Sequence, residues 1–328
     1  MTLTLSKPSQ LGNTEKVPEF DVPRDGWKRP LVVPIDGGRP AAHTRVTTYI
    51  DCIDDKSNLD VYHQRMVLLG AAKKPSLLDA VRLLDPEDAK DKRQLNAIAE
   101  RAQEIAGAND KREKGSHLHH LSEFVDRGEP LPPCSEADLV DMAAYKMATV
   151  QLDVVHIEKL VVVGENKTAG TPDRVSYYDG PGPLVDGKRI HIKGNLITDL
   201  KTGSVEYGAF KMAMQLSDYS KGMFYDPTKF PVDMEDAKAF ARWKKTEFPE
   251  ELARAAYTPL PDVNQDWGLI IHLPAGSGVA TVYWIDLRAG WEGVLAAKVV
   301  RALRRQNKVL HPFEPTVSLD TGPEVASN

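Results

Sequence analysis

Cysteine is almost missing from this chain: Cys52 and Cys134 are the only two among 328 residues. Two thiols build no disulfide framework, which points to a reducing compartment. They also cannot supply the four thiolates that a cysteine-held iron–sulfur cluster takes from one chain, so no such cluster is expected. Long apolar runs are missing too. Nothing approaches the ~18–20 residues of a membrane span, and the N-terminus carries no charged-then-apolar signal segment. The expectation is a soluble, unexported, cytoplasmic protein with no membrane partner. No G-x-x-x-x-G-K-S/T loop occurs, which excludes ATP binding in the P-loop manner. Positive charge is not in excess either. The formal net charge of -5 argues against a chain that coats nucleic acid nonspecifically, and leaves room only for a local basic groove.

What is present fits one to two domains by length. Residues 1–45 are rich in Pro, Gly, Lys and Asp without a sustained apolar period, and read as a flexible arm in which Leu31-Val32-Val33 forms an edge strand at most. Residues 45–50 read as extended. Helices are expected over 59–69, closed by Gly70, and over 75–84. A third helix has Asp85 as N-cap, Pro86 at its first position, and an apolar stripe of Leu95, Ile98, Ala102 and Ile105 running up to Gly107. A helix over 111–124 holds His117, His119 and His120. Ser135 with Asp138 forms a capping-box start for a helix running to about residue 150. The span 46–150 is thus read as a helical subdomain.

Strands follow. Residues 154–163 are dense in β-branched side chains and read as one strand, with Glu158 inside it facing either solvent or a cation. Residues 170–178, 189–201, 267–273 and 279–287 complete a mixed sheet, the last two joined by a glycine turn at 275–278. Residues 226–261 read as a surface insertion with one helix over 234–256, bent at Pro249. A final helix over 291–307 carries Lys298, Arg301, Arg304 and Arg305 against Glu292 alone. Such a cluster is either a solvated face or a patch that neutralises phosphates. Residues 311–328 read as a tail.

The densest chemistry lies in 170–222. Asp199 and Lys201 are two apart in NLITDLKTG, so an extended backbone projects both side chains from one face. Asp173, after Gly170-Thr171-Pro172, precedes a strand that a glycine-rich turn over 179–187 returns to the first, bringing both aspartates toward one point. Beyond Gly203 the apolar period becomes helical. Gln215 and Tyr219 fall four apart on one face of a helix ending at Gly222, where ordinary packing is the alternative to a role in a site. H-x-H-H on a helix does not turn three imidazoles to one side, so a zinc site built on the histidines is the weakest reading, and His117 and His120 read as incidental.

Five elements in order carry a family resemblance: Gly115-Ser116-His117-Leu118-His119; Glu158 in a first strand; Gly170-Thr171-Pro172-Asp173; Asp199-Leu200-Lys201-Thr202-Gly203; and Gln215-Leu216-Ser217-Asp218-Tyr219. Together they resemble the RecB-like branch of the PD-(D/E)XK nuclease superfamily, over about a third of the chain. The whole is similar to stand-alone nucleases of that branch from phages of actinobacteria. The resemblance implies an α/β restriction-endonuclease-like core over 151–310, a central mixed sheet flanked by helices, preceded by the helical subdomain. It implies Mg²⁺ or Mn²⁺ held by His119, Asp173, Asp199 and the Leu200 carbonyl, with Glu158 ligating directly or through water. Glu123, four residues after His119, would hold the ring's other nitrogen. Lys201 would orient or help deprotonate a water, and Gln215 and Tyr219 would position the DNA backbone or the lysine. The implied activity is DNA phosphodiester hydrolysis, as an exonuclease in replication, repair or recombination, in the cytoplasm of a bacterial host or phage-infected cell. The implied partners are a recombinase, a single-strand-binding protein or a helicase. The alternative reading is a noncatalytic DNA-binding or protein-interaction module on the same fold.

Overall fold

The computed structural model describes residues 22–311. Of the expected arm, 1–21 lies outside the described residues, while 22–45 is built into the molecule. Val22, Leu31, Val32 and Val33 are buried, and β1 (Leu31–Val32) pairs antiparallel with β2 (Ala41–Ala42). After β3 (Thr44–Arg45) the chain enters α1 (Val46–Ile50) instead of continuing extended. Val46, Tyr49 and Ile50 are spaced three and four apart, and all three are buried on the turn they form. Burial of that face overrides the strand preference of the β-branched run.

Three helices, α2 (Ser57–Lys73), α3 (Ser76–Val81) and α4 (Ala89–Ala106), pack mainly on one another. The cap of α4 is Asp88, whose carboxylate accepts from the Lys90 and Asp91 amides; the expected cap, Asp85, instead closes the preceding turn by accepting from Glu87 N at 2.8 Å. Next come α5 (Asp110–Arg127) and α6 (Glu136–Ala148), the latter opened by a reciprocal Ser135–Asp138 capping box. Leu118 and Leu121 of α5 and Met142 and Tyr145 of α6 bury against Leu200, Ile271 and Leu273. The helices of 46–150 are therefore divided between an arm and a layer on the sheet.

The expected strand over 154–163 is two strands in two sheets. β4 (Asp153–Ile157) ends at Glu158, whose φ of 50° turns the chain out of the sheet, and β5 (Val161–Val163) and β6 (Thr168–Gly170) belong to a second sheet. β7 (Arg174–Val185) and β8 (Lys188–Lys201) form a long hairpin. Its ladder runs on through the glycine-rich run expected as turn, and closes only at Asp186-Gly187, both at positive φ. Then come α7 (Ala209–Ser220), β9 (Met223–Tyr225), α8 (Ala237–Trp243), α9 (Glu250–Arg254), β10 (Tyr257–Pro259), β11 (Trp267–His272), β12 (Thr281–Asp286) and α10 (Leu287–Leu303).

The main sheet has the order β12-β11-β8-β7-β4, with β8 and β11 parallel and the other neighbours antiparallel. Along β8, Leu196, Thr198 and Leu200 alternate with Ile197, Asp199 and Lys201. Leu200 packs with α5 and α6, whereas Ile197 packs with Leu216 and Tyr219 of α7 and Leu287 of α10. The result is an α/β fold with mixed sheets flanked by helices. The second sheet runs β10-β9-β5-β6-β3. Residues 226–261 depart from a surface insertion carrying one bent helix. They hold the two short helices α8 and α9, and Phe230, Trp243, Ala253 and Ala256 share a core with Val22, Leu31, Val32, Val33, Leu160 and Tyr225. Among the described residues no helix is long and apolar enough to cross a membrane.

Candidate active site

The α7-facing row of β8 ends in Asp199 and Lys201. Asp199 is buried, and Lys201 Nζ lies 2.5 Å from its Oδ2. Across the gap, Gln215 Nε2 of α7 donates to Asp199 Oδ1 at 3.5 Å. Tyr219, one turn on and also buried, sets its hydroxyl against Gly170, where a Cβ would come within 2.7 Å of the phenolic oxygen. The glycine that opens Gly170-Thr171-Pro172-Asp173 is therefore the space that Tyr219 fills.

Asp173 sits just before β7, and its Oδ2 accepts from Leu200 N at 2.7 Å and lies 3.3 Å from His119 Nδ1 of α5. Gly115, one turn earlier on α5, lets that helix close on the loop after β8; a Cβ there would come within 2.7 Å of Thr202 Oγ1. The Leu200 carbonyl faces the same edge as its amide. Lys201 O accepts from Leu273 N on the β11 side, and backbone groups alternate along a strand, so Leu200 O points to the Asp173 side. The structure thus brings Asp173, Asp199, Lys201, Gln215, Tyr219, His119 and Leu200 to one end of the β7–β8 pair. Glu158 lies outside any strand. Its amide donates to the Asp173 carbonyl at 3.0 Å, so the backbone of one acidic residue props that of another.

Burial and the neighbouring Asp173 charge push the Asp199 carboxyl above the ordinary carboxylate range, and Lys201 and Arg174 only partly oppose this. Burial works against the Lys201 charge, but Asp199 and Asp173 outweigh it and hold the ammonium above its ordinary value. The Tyr219 phenol is pushed up by burial and by the same two carboxylates. The pocket is therefore one of excess negative charge for which a single lysine compensates incompletely.

Among the described residues, no group of three or more His, Cys, Asp or Glu side chains is drawn together tightly enough to hold a metal ion. The donor set nonetheless suits a hard cation. Apart from its approach to the Lys201 ammonium, Asp199 Oδ2 is buried with no hydrogen bond, and carboxylate and carbonyl oxygens are the ligands that Mg²⁺ and Mn²⁺ prefer. No protein-family model matches the chain, and no curated protein matches it.

The other histidines do not join this centre. His117 Nε2 lies 3.3 Å from Asp138 Oδ2 at the start of α6, and His120 packs edge-on against Phe124, with centroids 5.1 Å apart. A zinc site built on the three is not formed. Glu123 accepts from Arg127 Nη2 at 3.1 Å, and its Oε1 is buried without a hydrogen bond.

One group escaped the sequence reading. Arg174, next to Asp173, is buried, paired through Nε with Asp126 Oδ2, and donates from Nη2 to Ser122 Oγ at 2.5 Å; Ser122 in turn donates to the His119 carbonyl at 2.6 Å. The Tyr145 hydroxyl donates to Asp126 Oδ1 at 2.8 Å. Its signal was available: His119, Ser122 and Asp126 fall at i, i+3 and i+7, one stripe of α5. Three basic residues on or just after α10 have partners within the chain, although Lys298 and Arg304 stay exposed. Lys298 pairs with Glu165 at 2.9 Å, Arg304 donates to Cys52 O at 3.1 Å, and Arg301 donates to Thr48 O at 3.4 Å while lying over the Tyr49 ring.

Proposed function

We propose that this chain is a divalent-metal-dependent deoxyribonuclease of the RecB-like PD-(D/E)XK type, with β12-β11-β8-β7-β4 as its restriction-endonuclease-like sheet. The observation that carries the reading is the Asp173–Asp199–Lys201 cluster at the end of the β7–β8 pair, with the Leu200 carbonyl on its edge. Asp173, Asp199, Leu200 O and His119 would hold Mg²⁺ or Mn²⁺, and Glu158 stands beside Asp173 through the backbone. When bound, such an ion would supply Lewis-acid polarisation of a phosphoryl oxygen and would make a bound water easier to deprotonate than bulk water.

The chain's own groups do the rest. Lys201, held cationic by two carboxylates, donates hydrogen bonds to an attacking water or to the phosphoryl oxygen where negative charge develops. In that protonation state it serves as a charge stabiliser rather than a base. Gln215, hydrogen-bonded to Asp199 Oδ1, fixes that carboxylate's orientation, and Tyr219 backs it from the same helix face. Degradation from an end, in replication, repair or recombination, fits a chain with no motor motif, to which a helicase, recombinase or single-strand-binding protein would deliver substrate.

End-labelled linear DNA and closed circular DNA, incubated with Mg²⁺, Mn²⁺ or EDTA, test this directly. Metal-dependent loss of linear DNA is expected, with circles resistant, and Asp199→Ala and Lys201→Ala each lowering the rate by at least about a hundredfold. A folded wild-type protein that cleaves nothing with either metal would turn the reading to the noncatalytic DNA-binding module.

A further inference from the structure

At the far edge of the main sheet, β12 (Thr281–Asp286) has β11 as its one strand neighbour among the described residues. We propose that this edge joins two copies of the chain, β12 pairing antiparallel with β12 of a second copy about a twofold axis that passes through the sheet at Tyr283. The proposal does not depend on the reaction assigned above.

The backbone groups of the edge complement themselves. Leu287 N donates to Asp266 O at 2.8 Å across the β11–β12 pair, and such groups alternate along a strand. Thr281, Tyr283 and Ile285 therefore turn their N–H and C=O toward β11, whereas Val282 and Trp284 turn theirs to the open edge. The twofold axis sets the partner's Trp284 opposite Val282 and the partner's Val282 opposite Trp284. Each of these edge donors then meets an acceptor, and like faces of the two sheets stay together. A register centred on Trp284 would instead call on Asp286, the N-cap of α10, whose carbonyl belongs to that helix.

The edge is also undefended. Sheet edges are ordinarily blunted by lysine, proline, a bulge or very short length. β4, the opposite edge, has a register shift between Val154 and His156. In the second sheet β10 holds Pro259, and β3 is two residues long. Thr281-Val282-Tyr283-Trp284 has none of these devices and no charge, so two copies of a chain of net charge -5 meet there without like charges opposed. The turn before β12 is held as well: the Asp141 carboxylate accepts from Gly276 N at 2.6 Å and Gly278 N at 2.8 Å.

Apolar surface flanks the joint on both faces. Tyr283 is 46% exposed on one. On the other, a cavity of about 250 Å³ is lined by Met147, Val150, Leu152, Tyr178, Val282 and Trp284, with Met147 and Val150 exposed at its rim. The partner's Val282 and Trp284 would extend that apolar surface across the joint. Tyr283, Ile270 and Asp199 form one row across β12, β11 and β8. Pairing at Tyr283 would therefore place the two Asp199 carboxylates on one face, about 24 Å apart over five strand spacings.

Sedimentation velocity over a concentration series and a cysteine cross-link test the proposal. The wild-type chain is expected to associate reversibly to twice its mass at micromolar concentration, with Tyr283→Lys and Val282→Pro each raising the dissociation constant at least about tenfold. Both variants should keep the wild-type circular dichroism, because Tyr283 is exposed and the Val282 amide faces away from β11. In a Cys52→Ser/Cys134→Ser background, Tyr283→Cys should oxidise to a disulfide-linked dimer, since a directly opposed pair without ladder bonds brings its Cα atoms to about 4.5 Å. Thr281→Cys, about 14 Å from its copy in this register, should not. A monomer at every concentration overturns the proposal. So does a dimer that both edge substitutions leave intact, or cross-linking at 281 as readily as at 283.

Discussion

Arg174 and Asp199 solve opposite problems a few ångströms apart. The Arg174 guanidinium is taken wholly out of water but is matched by Asp126 at Nε, Ser122 at Nη2 and the face of the Tyr145 ring. Asp199 is taken out of water beside another carboxylate and is compensated only in part. The first arrangement fastens α5 to β7, and through Ser122 it fixes the turn that carries His119. Arg174→Met should therefore leave Asp126 buried without its cationic partner, held only by the Tyr145 hydroxyl, at a cost of about 3–5 kcal/mol in urea unfolding. Arg174→Met combined with Asp126→Leu should recover much of that loss, because a buried pair replaced by apolar groups is often close to neutral. A single-variant cost below about 1 kcal/mol would show that apolar packing, not the ion network, joins helix to strand. Gln215 makes a different kind of contribution. It touches Asp199 through the 3.5 Å bond and also hydrogen-bonds the Tyr219 side chain, so Gln215→Ala should lower turnover about tenfold with the melting temperature little changed. An unaltered rate would remove the residue from the site.

At the level of elements, the hairpin, the sheet strands after it and α7 were legible because each rests on local chemistry. The β-branched runs and the apolar helical period of α7 are decided within a few residues, and so is the Ser135–Asp138 cap; the hairpin turn, expected over 179–187, contracts to Asp186-Gly187 because the β7–β8 ladder continues through the glycines. Three features were not legible, and each depends on distant partners. The break at Glu158 puts a non-glycine residue at positive φ in the middle of an apolar run, and nothing nearby in sequence announces that Val161, Val162 and Val163 pair with β6 and β9 instead of extending β4. The helix α1 forms because α7 and α10 cover its apolar face. The segment 226–261 looked like surface because its charges alternate, yet it closes a core over the N-terminal strands. Val33 shows this well: its amide donates to Tyr225 Oη at 3.2 Å, just before the segment, and its carbonyl accepts from Tyr257 Oη at 2.8 Å, near the segment's end. Phe230, buried and in edge contact with Phe248 at 4.8 Å, supplies the test. Phe230→Ala should cost about 3–5 kcal/mol as a shift in the urea midpoint. A decorative insertion would show less than about 1 kcal/mol.

Across the whole molecule, the acidic pocket couples stability to pH and to metal. A carboxyl whose pKa is higher folded than unfolded binds more protons in the native state through the window between the two values, so its contribution to stability falls as pH rises through that window. Asp199 is such a group, and a tenfold difference in proton affinity between the folded and unfolded chain corresponds to about 1.4 kcal/mol. Lys201, raised above its ordinary value, is protonated in both states from pH ~5 to ~8 and adds no slope there. In EDTA, the wild-type melting temperature should therefore fall relative to Asp199→Asn as pH is raised over that range. A cation held by oxygen ligands competes with protons for them, so the stabilisation it brings has the opposite pH dependence. Mn²⁺ at about a hundred times its dissociation constant adds roughly 2.7 kcal/mol, which is a rise of several degrees for a chain of this size. That rise should be full near pH 8, much reduced near pH 5, and missing in Asp199→Asn at either pH. Thermal melts of the two proteins with EDTA and with Mn²⁺ distinguish this from nonspecific screening of a chain with net negative charge, which would stabilise wild type and variant alike. Equal Mn²⁺ shifts in both proteins would mean that Asp199 is not a ligand, and the hydrolytic reading would lose its chemical basis.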